Sequence, residues 1–501
     1  MPYAIGIDVG TTNSKVVLCD LSSCVVMDTE KFESPRTVEG EHVDYDINVL
    51  MERIVGSLRH CTKRLGASSR DVRFVSIASV GESGVLVHRD GSFDGRSIFW
   101  YDRRGETYSN AVCREGYARR MYGITGLPVH PNSALFKILW LRDNGADIGD
   151  AVWLPLADFV AWYLCGEQGQ DQTLASRTAV LDMKSATVSD EILDRFSLPH
   201  TLFPTVKRSG VSRGTVLADI SKVTGLPTAC EVCVAGHDHM VGSMACGVMS
   251  EGSILNSTGT SEGILSLGKE PKLGDEAFDR NLSNGRYVLD GAYSFYTSVP
   301  AAGFSFQWGL SVLGMNPDDF FGRGQFDLYD RYVKCRPIDN RPIDSDVLFV
   351  PHLRGSGPPH RNPKSRGVFY GLSETTKRDD LVYSLHLGVC MEFNRLFQCM
   401  LDESMRAASN IKVIGPAVKN PLWMQMKADV LGVPVIGCDV QEAVALGAVL
   451  VAARQRGLSC ELSFDSSLYE PDSHRHERLR DVYENRYVPL CDSIRVFEDR
   501  L

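Results

Sequence analysis

The stretch that decides the fold is Tyr3-Ala-Ile-Gly-Ile-Asp8-Val-Gly10-Thr11-Thr12-Asn13-Ser-Lys15-Val-Val-Leu-Cys19. Its first half reads as a buried strand that ends in a carboxylate and a glycine. A polar turn follows, and Val16 to Cys19 reads as a second strand, so the pattern is a hairpin with a glycine-led turn. In such a turn successive backbone N–H groups, close approach at glycine and Thr or Ser hydroxyls together make an anion nest. Gly10, Thr11, Thr12, Asn13 and Lys15 are therefore candidate phosphate contacts. Asp8 beside this nest either repels a phosphate or holds a magnesium ion that binds one, since magnesium takes one or two carboxylates together with phosphate oxygens and water. Capping of its own turn is the structural alternative for Asp8.

Moving outward, the same layout returns at Ser253-Ile-Leu-Asn-Ser257-Thr258-Gly259-Thr260-Ser261, followed by an apolar strand from Gly263 to Leu267. The match is too weak to be a sequence repeat, but it suggests two similar units facing one ligand. Ser257, Thr258, Gly259 and Thr260 are the second set of phosphate candidates. Between the two hairpins, the apolar run Val232 to Gly236 stops at glycine and presents Asp238. A carboxylate at a strand end, pointing into a cleft, is a candidate general base. His237 and His239 flank it, but neighbours at i and i+2 around a turn rarely converge on a metal. Cys230 and Cys233 form a lone C-x-x-C pair that cannot complete a four-ligand zinc site.

The rest of the chain reads as α/β. Strands are expected at Phe74–Ala78 and Gly84–His88, and helical spacing runs through residues 131–165 and 376–408. From 411 to 451 strand, glycine turn, helix, strand and helix alternate, as in a sheet covered by helices. Residues 322–366 read as loop-rich, and the last forty as charged surface helix. A length of 501 residues favours two large domains. They are expected at 1–248 and 249–501, joined by Met249-Ser-Glu-Gly252, a short connection suited to a hinge. The net charge of −10 gives no overall attraction to nucleic acid or anionic lipid. No stretch reaches the ~20 apolar residues of a membrane span. The N-terminus lacks a basic leader, and the scattered cysteines read as reduced thiols, so a cytoplasmic protein is expected. There is no G-x-G-x-x-G fingerprint. The near P-loop at Gly263 to Glu270 puts glutamate where magnesium needs Ser or Thr, and reads as a strand entering a turn.

With these residues in view, the chain resembles the FGGY family of carbohydrate kinases, within the actin, hexokinase and heat-shock ATPase superfamily. Gly6 to Lys15 is similar to the family's first phosphate motif, Ala235-Gly-His-Asp238 to its catalytic-aspartate segment, and Gly252 to Thr260 to its second phosphate motif. Gly415, Asn420-Pro-Leu-Trp-Met-Gln425 and Pro434-Val435 resemble the adenosine motif, and Glu442 to Ala448 the small-residue helix that closes it. Asp158 to Gly166 and Ser176-Arg177 also look like family segments. The resemblance spans roughly residues 3–490, with the motifs in the family's order.

It implies two RNase H-like domains around a central cleft, the sugar on the first and ATP mostly on the second. It also implies an ATP- and magnesium-dependent phosphorylation of a free sugar, ketose or polyol. Asp238 would take the proton from the attacking hydroxyl, and Asp8 would hold magnesium, usually through water. The two nests would hold phosphates, and Gly415 and Asn420 the adenosine. Gly81-Glu82-Ser83 sits where the family reads its acceptor, and Trp100-Tyr-Asp102-Arg-Arg104 resembles a glycerol kinase stretch. The acceptor candidates are therefore Glu82, Ser83, Trp100, Asp102 and Asp238. A homodimer is compatible with this picture. Two departures stand out. Gly415-Pro416-Ala417 replaces Gly-Gly-Gly, with Pro416 removing a backbone donor, and Tyr383-Ser384 with Leu387-Gly388 replace Arg-Ala and Glu-Gly. They keep in view a non-catalytic sugar- or nucleotide-binding pseudokinase; an actin-like ATPase is the other rival.

Overall fold

The computed structural model describes residues 2–315, 324–333, 346–400, 409–458 and 464–500. The expected hairpin opens the first sheet. Strands β1 (Tyr3–Val9), β2 (Asn13–Asp20) and β3 (Val25–Glu33) form an antiparallel meander. Next to β1, and parallel to it, lies β4 (Val72–Ser79). The edge strand β5 (Ser212–Thr215) runs antiparallel to β6 (Glu231–His237), which pairs parallel with β4. The order across these six strands is β5-β6-β4-β1-β2-β3.

The second sheet repeats the plan. Strands β7 (Ile254–Thr258) and β8 (Glu262–Gly268) form the antiparallel hairpin, continued by β9 (Ser283–Arg286) and β10 (Tyr293–Val299). Parallel pairing then adds β11 (Ile411–Ile414) beside β7 and β12 (Val435–Asp439) beside β11, and β13 (Asp465–Tyr469) closes the edge antiparallel. Each sheet thus consists of an antiparallel hairpin whose first strand is flanked by a parallel pair. This is the duplicated RNase H-like plan of actin-like ATPases.

Helices cover the outer faces. On the first sheet these include α1 (Ile47–Leu65) and α3 (Leu156–Cys165); α2 (Ala134–Asp143) belongs to a satellite core. The expected single helical region over 131–165 is therefore split. Ala151–Pro155 between α2 and α3 is a strand paired with Gly84–His88, because Asn144 and Gly145 end α2 and Pro155 leads into α3. The second core is built on α5 (Gly303–Val312), α6 (Arg378–Met400) and α7 (Pro421–Leu431). Residues 401–408 of the expected long helix, and 322–323 and 334–345 of the expected loop-rich segment, lie outside the described residues; within that segment Gly324–Val333 is a helix rather than loop. The terminal segment is helical, as expected.

Two helices lie between the sheets, α4 (Asp238–Ala245) and α8 (Ala443–Gln455). Although α8 comes late in the chain, its small residues pack on β1, β2, β4 and β6 of the first sheet and on α4. Backbone meets backbone there. A Cβ on Gly6 would lie 2.0 Å from the Ala445 carbonyl oxygen, and one on Gly447 would lie 2.5 Å from that of Val241. The connection after α4 is short, with Gly252 at φ +79. It is not the sole bridge between the halves. Tyr122 donates to the Leu282 carbonyl at 2.7 Å, and Gln172 Nε2 to that of Tyr287 at 2.8 Å.

Eleven cysteines among the described residues are free thiols, while Cys24 is disulfide-bonded. The expectation of reduced thiols throughout therefore fails at Cys24. Cys230 and Cys233 are buried, and burial pushes their thiols up to about 12 and about 11, which suits structural rather than redox roles. Among the described residues no helix is long and apolar enough to cross a membrane.

The crossing yields opposite expectations for two glycines. A Gly→Ala change inside an open helix normally stabilises by about 1 kcal/mol. Gly56→Ala in α1, where an added Cβ meets nothing within 4 Å, should raise the apparent Tm. Gly447→Ala should lower it, since overpacking against rigid backbone costs about 1–3 kcal/mol. Differential scanning calorimetry of the two variants checks the signs.

Candidate active site

The two hairpin turns face the space between the halves. In the first, Asn13 is already the opening residue of β2, so the tight turn is Gly10 to Thr12. The Gly10 carbonyl accepts from Ser34 Oγ at 2.7 Å and from the Tyr45 hydroxyl at 3.3 Å. An added Cβ at Gly10 would sit 2.5 Å from the Asn13 carbonyl oxygen. Thr12 is exposed, and Thr11 Oγ1 accepts from the Trp100 indole at 2.9 Å. Lys15 faces Asp8 across the hairpin register, but its ammonium pairs with Glu442 Oε2 at 2.5 Å, at the start of α8.

Asp8 is buried beside a second carboxylate. Its Oδ1 is buried without a hydrogen-bond partner. Burial first, then the nearby Asp238 carboxylate, push its carboxyl up to about 8. Carboxylates crowded in this way are relieved by a positive ion. Among the described residues no group of three or more His, Cys, Asp or Glu side chains could hold a metal alone. One carboxylate with phosphate and water suits magnesium, which dehydrates reluctantly.

The second turn, Gly259 to Ser261, is braced from two sides. The α5 N-terminus abuts it so closely that a Cβ on Gly303 would lie 2.0 Å from the Gly259 carbonyl oxygen, and the Phe304 N–H donates to that of Thr260 at 3.2 Å. Thr258 spends its hydroxyl internally. It donates to the Ile414 carbonyl at 2.7 Å and accepts from the Ala417 N–H at 3.2 Å. Gly415, at φ +96, lies against the Thr258 carbonyl, where a Cβ would approach to 1.8 Å. Pro416 opens the 3₁₀ turn Pro416–Lys419. An N–H at the start of a helical turn has no internal partner in any case, so the proline is accommodated.

Asp238 heads α4, half-buried, with Oδ1 accepting from the His239 N–H at 2.6 Å and His237 Nε2 lying 3.4 Å from the same oxygen. Burial raises its carboxyl above the usual range, partly offset by His239. Burial also pulls His237 well below its ordinary value, so its imidazole is neutral. The rings of His237 and His239 stack at 5.4 Å, and His239 lies 5.3 Å from Tyr296 of β10. Across the pocket Glu82 takes the left-handed conformation, φ +60, and its Oε1 pairs with Arg177 Nε at 2.7 Å and Nη2 at 2.5 Å. Gly81 leaves room for the His237 ring, which an added Cβ would meet at 2.8 Å.

Three of the expected contacts have polar atoms engaged by protein partners. Asp102 receives Val43 N–H and Arg104 Nη2 on one oxygen, and the Arg104 N–H and Nε on the other, all at 2.8–2.9 Å. Its four lone-pair sites are filled, leaving none for an acceptor hydroxyl. Despite burial, these bonds hold its carboxyl below the usual range. Buried Ser83 donates its hydroxyl proton to the Ile98 carbonyl at 2.8 Å. Asn420, fully buried, caps α7 through the Trp423 N–H at 3.0 Å and meets His386 Nε2 at 3.0 Å.

Sequence reasoning missed Lys137. This fully buried lysine donates to the Glu82 and Trp100 carbonyls, each at 3.0 Å, and burial pushes it down to about 7. The signal was a charge within the apolar run Ala134-Leu-Phe-Lys-Ile-Leu-Trp140. Arg177, paired with Glu82, and Tyr296, beside His239, are the other residues the structure brings to these motifs.

The model for the N-terminal domain of the FGGY family of carbohydrate kinases matches residues 3–245, and that for its C-terminal domain matches 254–456. The chain belongs to this family. It is a carbohydrate kinase, a transferase. It is 27% identical over 473 residues to the glycerol kinase of Myxococcus xanthus, covering 91% of each chain. It is 24% identical over 506 residues to the xylulose kinase of Bacillus subtilis, covering 98% of each. Its fold matches Plasmodium falciparum glycerol kinase with ADP at a TM-score of 0.85 and 19% identity, over 98% of each chain. Ligand-bound xylulose kinase from Lactobacillus acidophilus matches at 0.86 and 20% identity, over 99% of this chain and 100% of that one.

Asp102 is expected to be a matter of stability. Asp102→Ala leaves the buried Arg104 guanidinium with the Asp44 carboxylate, at 3.0 Å, as its remaining ion-pair partner and should cost about 1–3 kcal/mol, read as a lower denaturant midpoint. The acceptor KM of the folded fraction should stay near wild type; a raised KM with unchanged stability would return Asp102 to the acceptor site.

Proposed function

We propose that this carbohydrate kinase transfers the γ-phosphoryl group of ATP to a hydroxyl of a small polyol or ketose, with Asp238 as general base. The observation that carries this reading is the position of Asp238. It heads α4 between Asp8 on the phosphate side and the Glu82–Arg177 pair on the other, close enough that both Asp8 and Glu82 register electrostatically. A carboxylate raised by burial yet still basic can take the hydroxyl proton as its oxygen attacks phosphorus. Phosphoryl transfer then needs chiefly alignment and charge neutralisation.

The acceptor would lie mostly against residues 1–248, on Glu82, Trp100 and Asp238, with Arg177 and, from the second half, Tyr296 added to the sequence-based set. Glu82 suits a polyol because its second carboxylate oxygen is not used by Arg177, and a carboxylate accepts from adjacent hydroxyls. ATP would lie mostly on residues 249–501. Its phosphates would meet the N–H groups and hydroxyls of Gly10 to Asn13 and of Ser257, Gly259 and Thr260, and its adenosine the backbone around Gly415. Thr258 and Asn420 act here by shaping those turns. Asp8, with its unpartnered oxygen, would hold magnesium through water; when bound, the ion neutralises phosphate charge.

Asp238→Asn should keep the fold and ATP binding and lower kcat by roughly 10²–10⁴-fold, the usual loss of a general base. Retention of a tenth of the wild-type rate refutes the assignment. Glu82→Gln should raise the acceptor KM and leave that for ATP nearly unchanged, about 1–3 kcal/mol being lost when a buried hydroxyl partner is removed. A coupled assay across C3 to C7 polyols, ketoses, aldoses and sugar acids measures both. Asp8→Asn should raise the magnesium concentration needed for half-maximal rate, while an unchanged requirement makes Asp8 a turn residue.

A further inference from the structure

The turn that presents Asp238 is held from behind by a chain of buried polar groups. Arg213 Nη2 donates to Asp158 Oδ1 at 2.9 Å, both side chains being almost fully buried. Both Asp158 oxygens accept from the Asp171 N–H at 3.0 Å. Asp171 Oδ1 in turn caps the short helix Gln172–Ala175, accepting from the Thr173 N–H at 2.8 Å and from Thr173 Oγ1 at 2.5 Å. With its proton committed to Asp171, the Thr173 hydroxyl has a lone pair aimed at β6, and it accepts from the His237 N–H at 2.7 Å. Asp171 and Thr173 are both fully buried. Contact at the preceding residue is tighter still. Gly236 stands at φ +124, where an added Cβ would lie 2.3 Å from Thr173 Oγ1 and 2.8 Å from Asp171 Oδ1.

The register of β6 and β4 breaks at this point, between Val234 and Gly236. The last two residues of β6 therefore depend on Thr173 as well as on the sheet for their position. The same segment also carries Ser176, whose Oγ accepts from the Arg286 N–H at 2.9 Å, and Arg177, which clamps Glu82. One short helix thus indexes the two carboxylates of the proposed acceptor pocket against each other.

We infer that Thr173, oriented by Asp171, is a positioning residue that fixes where Asp238 stands relative to the acceptor hydroxyl. The inference rests on the reading of Asp238 as general base. Thr173 touches neither substrate; it acts through the His237 N–H and the Gly236 turn. A displacement of about 1 Å between reacting groups costs on the order of 10²-fold in rate, whereas binding of ATP and acceptor draws on many other contacts.

Three substitutions test this in the full-length enzyme with its best acceptor from the C3 to C7 panel. Thr173→Val keeps the shape and removes the hydroxyl; it should lower kcat by ~10–100-fold while both KM values stay within about twofold. Thr173→Ser restores the oxygen and should recover most of the rate, which loss of packing alone would not do. Asp171→Asn keeps an acceptor for Thr173 but removes its charge, so it should lower kcat less than Thr173→Val does. Should Thr173→Val fail to fold, Asp171→Asn and Thr173→Ser decide: a wild-type kcat in Asp171→Asn overturns the inference. So does a folded Thr173→Val with wild-type kcat, or a serine variant as slow as the valine one. Asp238→Asn run alongside separates the two failures. If it is inactive while Thr173→Val is wild type, only the positioning role falls; if it keeps its activity, the base assignment falls too.

Discussion

The molecule depends on the crossing of α4 and α8. Two sheets of the same plan cannot share a ligand unless something sets the distance between them. Here that is a contact of main chain on main chain, with Gly447 on the Val241 carbonyl and Gly6 beneath the Ala445 carbonyl, while Gly242 faces the Val444 side chain. Small side chains let helices approach this closely, and the close packing that results is stiff. Because α4 begins at Asp238 and α8 begins next to Glu442, the same crossing brings together the proposed base, the Lys15–Glu442 pair and the first hairpin turn. Structural and chemical roles meet in the same few residues.

Charge is the second organising constraint. Asp8, Asp238, Glu82 and Glu442 all lie around the cleft, and their nearest cations, Lys15 and Arg177, take up Glu442 and Glu82. Asp8 and Asp238 are left without a lysine or arginine partner of that kind among the described residues. Both are raised by burial, and a nearby positive charge would favour their ionised forms. Behind the surface, further ionic groups are buried and paired. Lys427 binds Glu262 and Asn256 beneath the second hairpin, and Arg475 holds Asp429 at 2.7 Å under α7. Such pairs add little net stability but are costly to break, and they keep the supporting elements in one arrangement.

The departures from the family pattern look milder in three dimensions than in the sequence. Pro416 removes a donor at a place where a helical turn has no use for one, and Gly415 keeps the conformation that its contact with Thr258 requires. Tyr383, Ser384, Leu387 and Gly388 are interior positions of α6, with Gly388 packed beneath the Phe349 carbonyl. Their changes alter core packing behind the second sheet rather than the groups that face the cleft.

Both hairpins, the strand leading to Asp238, the α/β alternation after residue 411 and the family were legible in the sequence alone. Each depends on local patterning: runs of apolar residues, glycine-led turns and a carboxylate at a strand end. The sequence could not say which polar side chains remain free for a ligand. Asp102, Ser83 and Asn420 are of the right type and stand in the right motifs, yet the four lone-pair sites of Asp102 go to Val43 and Arg104, the Ser83 proton goes to Ile98, and Asn420 is engaged by Trp423 and His386. Lys137 and Thr173 read as ordinary helix residues, yet they hold the two loops that matter. A hydrogen-bonding group has few lone pairs or protons, and what claims them is decided by neighbours far away in the chain, which only the tertiary structure brings within 3 Å.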